Sequence, residues 1–326
     1  MADSESRMRT VDVVAAVIRD ARGRVLLTRR TEGKDFAGRW EFPGGKRKRG
    51  ESPEDALVRE LREELGIEAE PGPHLITVPQ LYPDKHLYLD VRAVVDWHGS
   101  PRGREQQAMA WVTMEKLARY TMPPADLPVV AALQQPAHYL VTPTPGEDDA
   151  SWLEALDAAL AGGVQRVQLR APGLDPARWQ RLATAAAKRC RKAGAEVLVN
   201  GGVELARTLA SGIHLTAAQL LANKRRPLPA GQRVGASCHT LEELRHAQAI
   251  GCDFAVLGPV KPTASHPGVD GIGWDRFASL RKHVSLPLYA IGGLGPDDLA
   301  EARRHGAQGI AAITALWPAL TPTPLP

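Results

Sequence analysis

Between His138 and Ile313 the sequence returns eight times to a short apolar run: "HYLVTP", "VQRVQLR", "EVLVN", "GIHLT", "RVGAS", "DFAVLGP", "LPLYAIGG" and "QGIAAI". The text between them is amphipathic, as in "PARWQRLATAAAKRCRKAG" and "TLEELRHAQAIG", where Thr240 and Glu243 have the spacing of a capping box. Strand followed by helix, repeated eight times, predicts a small (β/α)8 TIM barrel over residues 138–320. The Pro-rich end "WPALTPTPLP" reads as a frayed tail.

The first third has another rhythm, and at 326 residues the chain has room for two domains. "TVDVVAAVIRD", the turn "ARGR" and "VLLTRR" read as a hairpin, followed by a loop, "TEGKDFAGRWEFPGGKRKRGE". A helix comes next: Ser52 as N-cap, Pro53 at N1, Glu54 and Asp55 in the first turn, Leu57, Leu61 and Leu65 as the buried stripe, and Gly66 as the stop. Strands are expected at "LYLDVRAVVDW" and around Trp111, and a last helix over Asp126 to Leu133. Gln134 to His138 reads as the join, with a first domain over 8–134.

That helix carries Glu60, Glu63 and Glu64 on one face. Like charges at this spacing repel, and a divalent cation among them removes the repulsion. Carboxylates suit Mg²⁺, or Mn²⁺, and a Mg²⁺ held by few carboxylates takes phosphate oxygens as further ligands. Gly44 and Gly45 let backbone approach the same place. The alternative is a solvated acidic face.

The wider text is Gly45, five residues, Glu51, seven residues, then "RELREELGI". This 23-residue stretch resembles the signature of the Nudix hydrolases, with every defined position filled. The resemblance implies an α/β/α sandwich that hydrolyses nucleoside diphosphates linked to another group. It makes Glu60, Glu63 and Glu64 metal ligands together with Gly44, Arg59 a residue that orients a glutamate, and Glu51 a support for the loop or a second ion. Glu60, or a glutamate outside the signature, would take the proton of the attacking water. "LLTRR", "WEFPGGK", "LYPDKHLYL", "GREQQAMAWV" and "MPPADLPVV" extend the similarity to the MutT type, which converts 8-oxo-dGTP to the monophosphate and pyrophosphate. By that resemblance Arg30 and Phe42 lie near the base, Tyr82, Asp84 and His86 surround the pocket, Lys46 meets substrate, and Glu105 is a further ligand or base on a loop. Asp126 stands where the MutT type has a purine-reading asparagine. An ionised Asp only accepts hydrogen bonds, whereas one kept protonated in a dry pocket also donates. Its other reading is a plain helix N-cap.

The second half resembles thiamine-phosphate synthase and its relative TenI through "YLVTP", "VQLR", "VLVN", "GIHLT", "GASCHTLEEL", "FAVLGPVKPT", "AIGGL" and "GIAAITALW". Arg170, Asn200, His214, Ser237, His239 and Lys261 fall at or just beyond the expected strand C-termini, where barrel active sites gather, with Gly292, Gly293 and Ala312 to Thr314 as a phosphate cradle for a thiamine-related ligand; His214 and His239 also read as ordinary loop or core histidines. The resemblance also exposes departures. Pro172 replaces a basic residue, and Gly201 and Gln219 stand where two metal-binding aspartates are expected, so the synthase reaction reads as lost. The segment "HPGVDGIG" reads as a loop over this site.

The formal charge of +4 suits a polyanionic small molecule, and "KRKR" at 46–49 reads as flanking a triphosphate or facing water, because no aromatics interleave to stack single strands. Three cysteines without a close pair favour a reducing cytoplasm over a disulfide framework, Cys238 and Cys252 reading as packing residues. No signal segment and no membrane span is expected. Two further readings compete: hydrolysis of thiamine diphosphate or a damaged analogue by the first half, and a barrel that serves as a non-catalytic sensor or scaffold.

Overall fold

The computed structural model describes residues 9–263 and 270–318. The chain divides into two compact units, the first made of the residues up to Gln134 together with Arg281–Ser285, the second of the rest. In the first unit the chain runs β1 (Arg9–Val17), β2 (Val25–Arg29), β3 (Trp40–Glu41), β4 (Gly44–Lys46), α1 (Pro53–Leu65), β5 (Glu68–Leu81), β6 (Lys85–His98), β7 (Met109–Val112) and α2 (Leu127–Leu133).

Strand β1 organises this unit because both its faces are buried. Val14, Ala16 and Ile18 meet Ala56, Leu57, Leu61 and Leu65 of α1. Ala15 and Val17, on the other face, join Phe42, Val78, Leu89 and Val91 with Val129 and Val130 of α2. A helix on each side of the sheet makes the sandwich. The three leucines of α1 are fully buried, each contributing roughly 1.5–3 kcal/mol. The ends of α1 are fixed as the sequence implies: Ser52 caps the Asp55 amide, and Gly66 adopts φ 69°, the left-handed conformation of a C-terminal stop.

The expected hairpin does not form as a ladder. β1 lies in a sheet ordered β4-β1-β6-β5, and β2 in a second ordered β3-β2-β7. Only a bridge between Arg19 and Val25 joins the turn. The segment read as one loop contains β3 and β4, which pair with β2 and β1. β5 went unread because "EPGPH" interrupts it, and its register against β6 shifts there.

The second unit is a closed barrel of eight parallel strands in sequential order. It runs β8 (His138–Val141), α3 (Asp149–Ala161), β9 (Arg166–Leu169), α4 (Pro176–Lys192), β10 (Glu196–Asn200), α5 (Val203–Thr208), β11 (Gly212–Leu215) and α6 (Ala217–Ala222). It continues with β12 (Val234–Cys238), α7 (Leu241–Ala249), β13 (Phe254–Leu257), α8 (Gly273–Arg281), β14 (Leu288–Ile291), α9 (Leu299–Arg304) and β15 (Gly309–Ala312). Thr240 and Glu243 form the capping box of α7. The interior is packed by Tyr139, Val141, Leu198, Phe254, Val256, Tyr289 and Ala311. No described helix is long and apolar enough to cross a membrane.

One charge lies inside this core. The Arg166 side chain is wholly buried, with Nη2 2.6 Å from Glu196 Oε2. Its Nη1 donates to Gln135 Oε1 at 2.6 Å and to Tyr289 Oη at 2.8 Å, and the guanidinium lies 4.4 Å from the Phe254 ring centre. Truncating Glu196 strands that charge. We expect Glu196→Ala to cost about 3 kcal/mol in urea unfolding and the double change Arg166→Met/Glu196→Leu to cost less, because the uncompensated cation rather than the lost pair dominates.

Candidate active site of the first unit

Arg59 organises the acidic face of α1. Its Nε and Nη2 donate to the two oxygens of Glu51 at 2.8 and 2.9 Å, and Nη1 donates to Glu60 Oε1 at 2.6 Å. Nη2 also reaches the Lys46 carbonyl at 3.0 Å, tying α1 to β4. The fork holds the Glu51 carboxyl down at about 2. Glu60 packs against the glycine turn so closely that a Cβ at Gly45 would run into its carboxylate. Lysine cannot reproduce the fork, so Arg59→Lys is expected to lower turnover roughly 10- to 100-fold with the fold intact by circular dichroism.

Glu64 is held by a different device. The loop after β6 docks on the end of α1: the Arg104 amide donates to the Glu64 carbonyl at 2.9 Å, Gln107 Nε2 to the same oxygen at 3.1 Å, and the Arg102 amide to the Leu65 carbonyl at 3.0 Å. These bonds satisfy carbonyls that a helix end leaves open. The docked loop brings Glu105 to the site. Lys34 Nζ lies 2.6 Å from Glu105 Oε2 and 3.8 Å from Glu64 Oε1. Burial pushes the Glu64 carboxyl up to about 7, with Glu105, Glu41 and Glu60 adding to the rise and Lys34 opposing it.

Glu60, Glu64 and Glu105 are thus gathered, whereas the Glu63 side chain is 57% exposed and meets Arg59 Nη1 at 3.4 Å. Among the described residues no three His, Cys, Asp or Glu side chains stand as a formed metal cage. The donor set still fits a hard divalent cation: oxygen ligands only, a half-buried glutamate, Glu64, whose ionised form Lys34 at 3.8 Å offsets only in part, and a glycine turn in contact with Glu60.

The residues assigned to the base pocket divide. Asp126 is 5% exposed, and its Oδ1 accepts the Phe42 amide at 3.1 Å. Burial pushes its carboxyl up to about 7, against that hydrogen bond. Asp126 does not cap α2, since its side chain makes no capping bond and its backbone is already helical. Tyr82 feels its charge, and Arg30 pairs with Glu41, which burial also raises. Phe42 places its ring in the core and offers only its amide. Asp84 is exposed beside Lys85, at 3.6 Å. His86 corrects the expectation: strand alternation turns Leu87, Leu89 and Val91 into the core that holds Phe42, so His86 lies on the opposite face, its ring centre 4.5 Å from that of Tyr88. Glu41 and Lys34 were not singled out from the sequence. "WEFPGG" contained the first, and nothing in the spacing marked the second.

Residues 8–133 match the NUDIX domain family. The chain is 42% identical over 125 residues to CTP pyrophosphohydrolase of Escherichia coli (strain K12), covering 38% of this chain and 92% of that protein. It is 36% identical over 128 residues to 8-oxo-dGTP diphosphatase of the same organism, covering 39% and 99%. Residues 138–316 match the family described as Thiamine monophosphate synthase. Over 181 residues, 55% of this chain and 85% of the other, identity with a putative thiamine-phosphate synthase of Geobacter sulfurreducens is 35%. The chain belongs to both families. It is a Nudix hydrolase domain followed by a thiamine monophosphate synthase barrel.

In the synthase barrel, Ser237 stands near the C-terminal end of β12 and receives His214 Nε2 at 2.9 Å. His214 itself is a core residue, 1% exposed, with Nδ1 3.1 Å from Tyr139 Oη, and burial pushes its ring down to about 3. It is neutral and spends both nitrogens internally, which leaves it the core histidine of its alternative reading and not a ligand contact. His239 is tied to the Gly258 carbonyl at 2.6 Å. Asn200 Nδ2 donates to the His214 carbonyl at 3.3 Å, and the Arg170 amide donates to Thr142 Oγ1 at 3.0 Å. Lys261 pairs with Asp298 at 2.7 Å. Gly292 and Gly293 take φ 104° and 63° where the β14 loop presses on Pro259 and Lys261, leaving no room for a Cβ. Gln219 accepts the Thr216 amide at 3.0 Å and donates to the Gly201 carbonyl at 3.1 Å. All three cysteines are buried, and burial raises each thiol. The first half of the "HPGVDGIG" loop, residues 266–269, lies outside the described residues.

Proposed function

We propose that the Nudix half is a Mg²⁺-dependent nucleoside triphosphate pyrophosphohydrolase that releases a monophosphate and pyrophosphate, with 8-oxo-dGTP as its preferred substrate. The reading rests on one observation above all: a loop docked on the end of α1 brings Glu105 beside Glu64, while Arg59 fixes Glu60 against the Gly45 turn. Glu60, Glu63, Glu64 and Glu105, with the Gly44 carbonyl, would hold the metal. Bound Mg²⁺ would neutralise the phosphate chain and lower the pKa of a water. Glu60 accepts the proton of the attacking water, because Arg59 holds its carboxylate in one orientation. Lys46, on the adjoining strand, offers a cation to the phosphates.

Asp126 supports the purine reading. A carboxyl that stays protonated near pH 7 both donates and accepts, as an amide does, and so can serve an asparagine's place in base reading. The 42% identity with a CTP pyrophosphohydrolase favours a second reading, in which the base is cytosine. Initial rates of pyrophosphate release on 8-oxo-dGTP, dGTP, CTP, dCTP and thiamine diphosphate separate them. At least tenfold higher kcat/KM for 8-oxo-dGTP than for CTP is expected, the reverse order gives the cytosine reading, and preference for thiamine diphosphate would join the two halves in one pathway.

For the barrel we propose a degenerate synthase that retains affinity for a phosphorylated, thiamine-related ligand. Gln219 spends its amide on a helix cap and on Gly201, so neither position supplies a carboxylate for Mg²⁺ and a pyrophosphate leaving group. Formation of thiamine phosphate from the pyrimidine diphosphate and thiazole phosphate by the full chain would overturn this.

A further inference from the structure

The argument that assigns a cation to crowded carboxylates applies in reverse at the start of β1. There a cavity of about 340 Å³ is lined by Arg9, Asp12, Lys46, Arg47, Lys48 and Arg49, and Val11 is the only apolar residue in its lining. Five cations face one carboxylate. Asp12 meets Arg47 Nη2 at 3.5 Å, while Arg9, Lys46, Lys48 and Arg49 form no ion pair among the described residues.

The backbone carrying these charges is fixed. The Arg47 amide donates to the Asp12 carbonyl at 3.0 Å, the Lys48 amide to Glu51 Oε2 at 2.9 Å, and the Lys46 carbonyl accepts Arg59 Nη2 at 3.0 Å. Gly50, at φ 82°, turns the strap into α1. Backbone held in this way brings the cations together before any ligand arrives, which lowers the ordering cost of binding. Their side chains point into water, so the resting protein tolerates them, yet a multivalent anion in the cavity gains from all of them at once. Guanidinium forks suit phosphoryl oxygens in pairs, and a lining with one apolar residue offers nothing to a base or an acyl chain.

We propose that this cavity is a second anion site, specific for a small phosphate-rich anion of the polyphosphate class. The occupant is either the phosphate chain of the hydrolase substrate or a free polyphosphate, and the two share the same chemistry. Only the kinetic part of the test rests on the hydrolase reading.

The experiment is calorimetric titration of tripolyphosphate into the full chain in EDTA, for wild type and for Arg9→Gln/Lys48→Gln/Arg49→Gln. These side chains are exposed, and an unchanged melting temperature checks that the variant folds. Saturable binding at one site, weakened at least tenfold in the triple variant and at least threefold in Lys48→Gln alone, is the expected result. A parallel rise in KM for the nucleotide assigns the cavity to the substrate's own chain, and an unchanged KM assigns it to a free polyphosphate. Equal tripolyphosphate affinity in wild type and variants, or no saturable binding at millimolar concentration, overturns the proposal. So does tighter binding of a single-stranded oligonucleotide that tripolyphosphate fails to displace.

Discussion

Glu60→Gln is expected to slow pyrophosphate release roughly 10²- to 10⁴-fold, the range for losing a positioned proton acceptor. The amide keeps the size and most of the packing of the carboxylate, and its oxygen still accepts from Arg59, which now meets Glu60 at 2.6 Å. Folding should therefore survive: the melting temperature should stay within a few degrees, and relief of repulsion on α1 even favours the variant slightly. Loss of activity without loss of fold separates a chemical role from a structural one. The neighbouring Gly45→Ala change should lower activity with the fold kept, because its Cβ would displace the Glu60 carboxylate, the movable end of that side chain. A Glu60→Gln protein that kept a tenth or more of wild-type kcat would remove Glu60 from the reaction.

The second large effect concerns pH. Asp126 has a folded pKa of about 7 against 3.8 for the free side chain. Between those values the folded chain keeps a proton that the unfolded chain has released. Stability therefore falls as pH rises through this window, and the full loss, on the order of 4 kcal/mol, is reached above pH 7. Asp126→Asn carries no such proton. Urea unfolding of both proteins at pH 5 and pH 8 should show the Asn variant gaining roughly 2–3 kcal/mol on wild type across that interval, since other titrating groups cancel in the comparison. Activity should follow the same course. The wild-type carboxyl loses its donor above pH 7 and the amide does not, so the ratio of variant to wild-type kcat/KM should climb between pH 6 and 8.5. A ratio flat with pH would mean that Asp126 is ionised throughout, or that it does not meet the base.

Much of this site was legible because it is local. A 23-residue stretch carries the cap, the stripe, the stop and the three glutamates of α1, and helical periodicity alone puts the carboxylates on one face. The barrel was legible for a related reason, as each strand repeats one pattern and its neighbour in sequence is its neighbour in the sheet. What escaped depends on contacts far apart in the chain. Nothing near β1 says that β2 leaves for another sheet. Gln107 and Arg104 bind the end of α1 across about forty residues, so the docking of the Glu105 loop has no local signature. Arg166 alternates like an exposed residue, yet a closed barrel buries its inward face as well, and only the partner strand supplies Glu196. His86 was misplaced because similarity in order does not fix a strand's facing, whereas the alternation around Leu87 and Leu89 does.

The position of bond cleavage tests the account most directly. Phosphorus NMR of 8-oxo-dGTP incubated with the full chain and Mg²⁺ should show the nucleoside monophosphate and pyrophosphate growing together, and neither should appear in excess EDTA or with Glu60→Gln. Orthophosphate with the nucleoside diphosphate, or products that form equally well in EDTA, would contradict a metal-dependent pyrophosphohydrolase built on Glu60, Glu64 and Glu105.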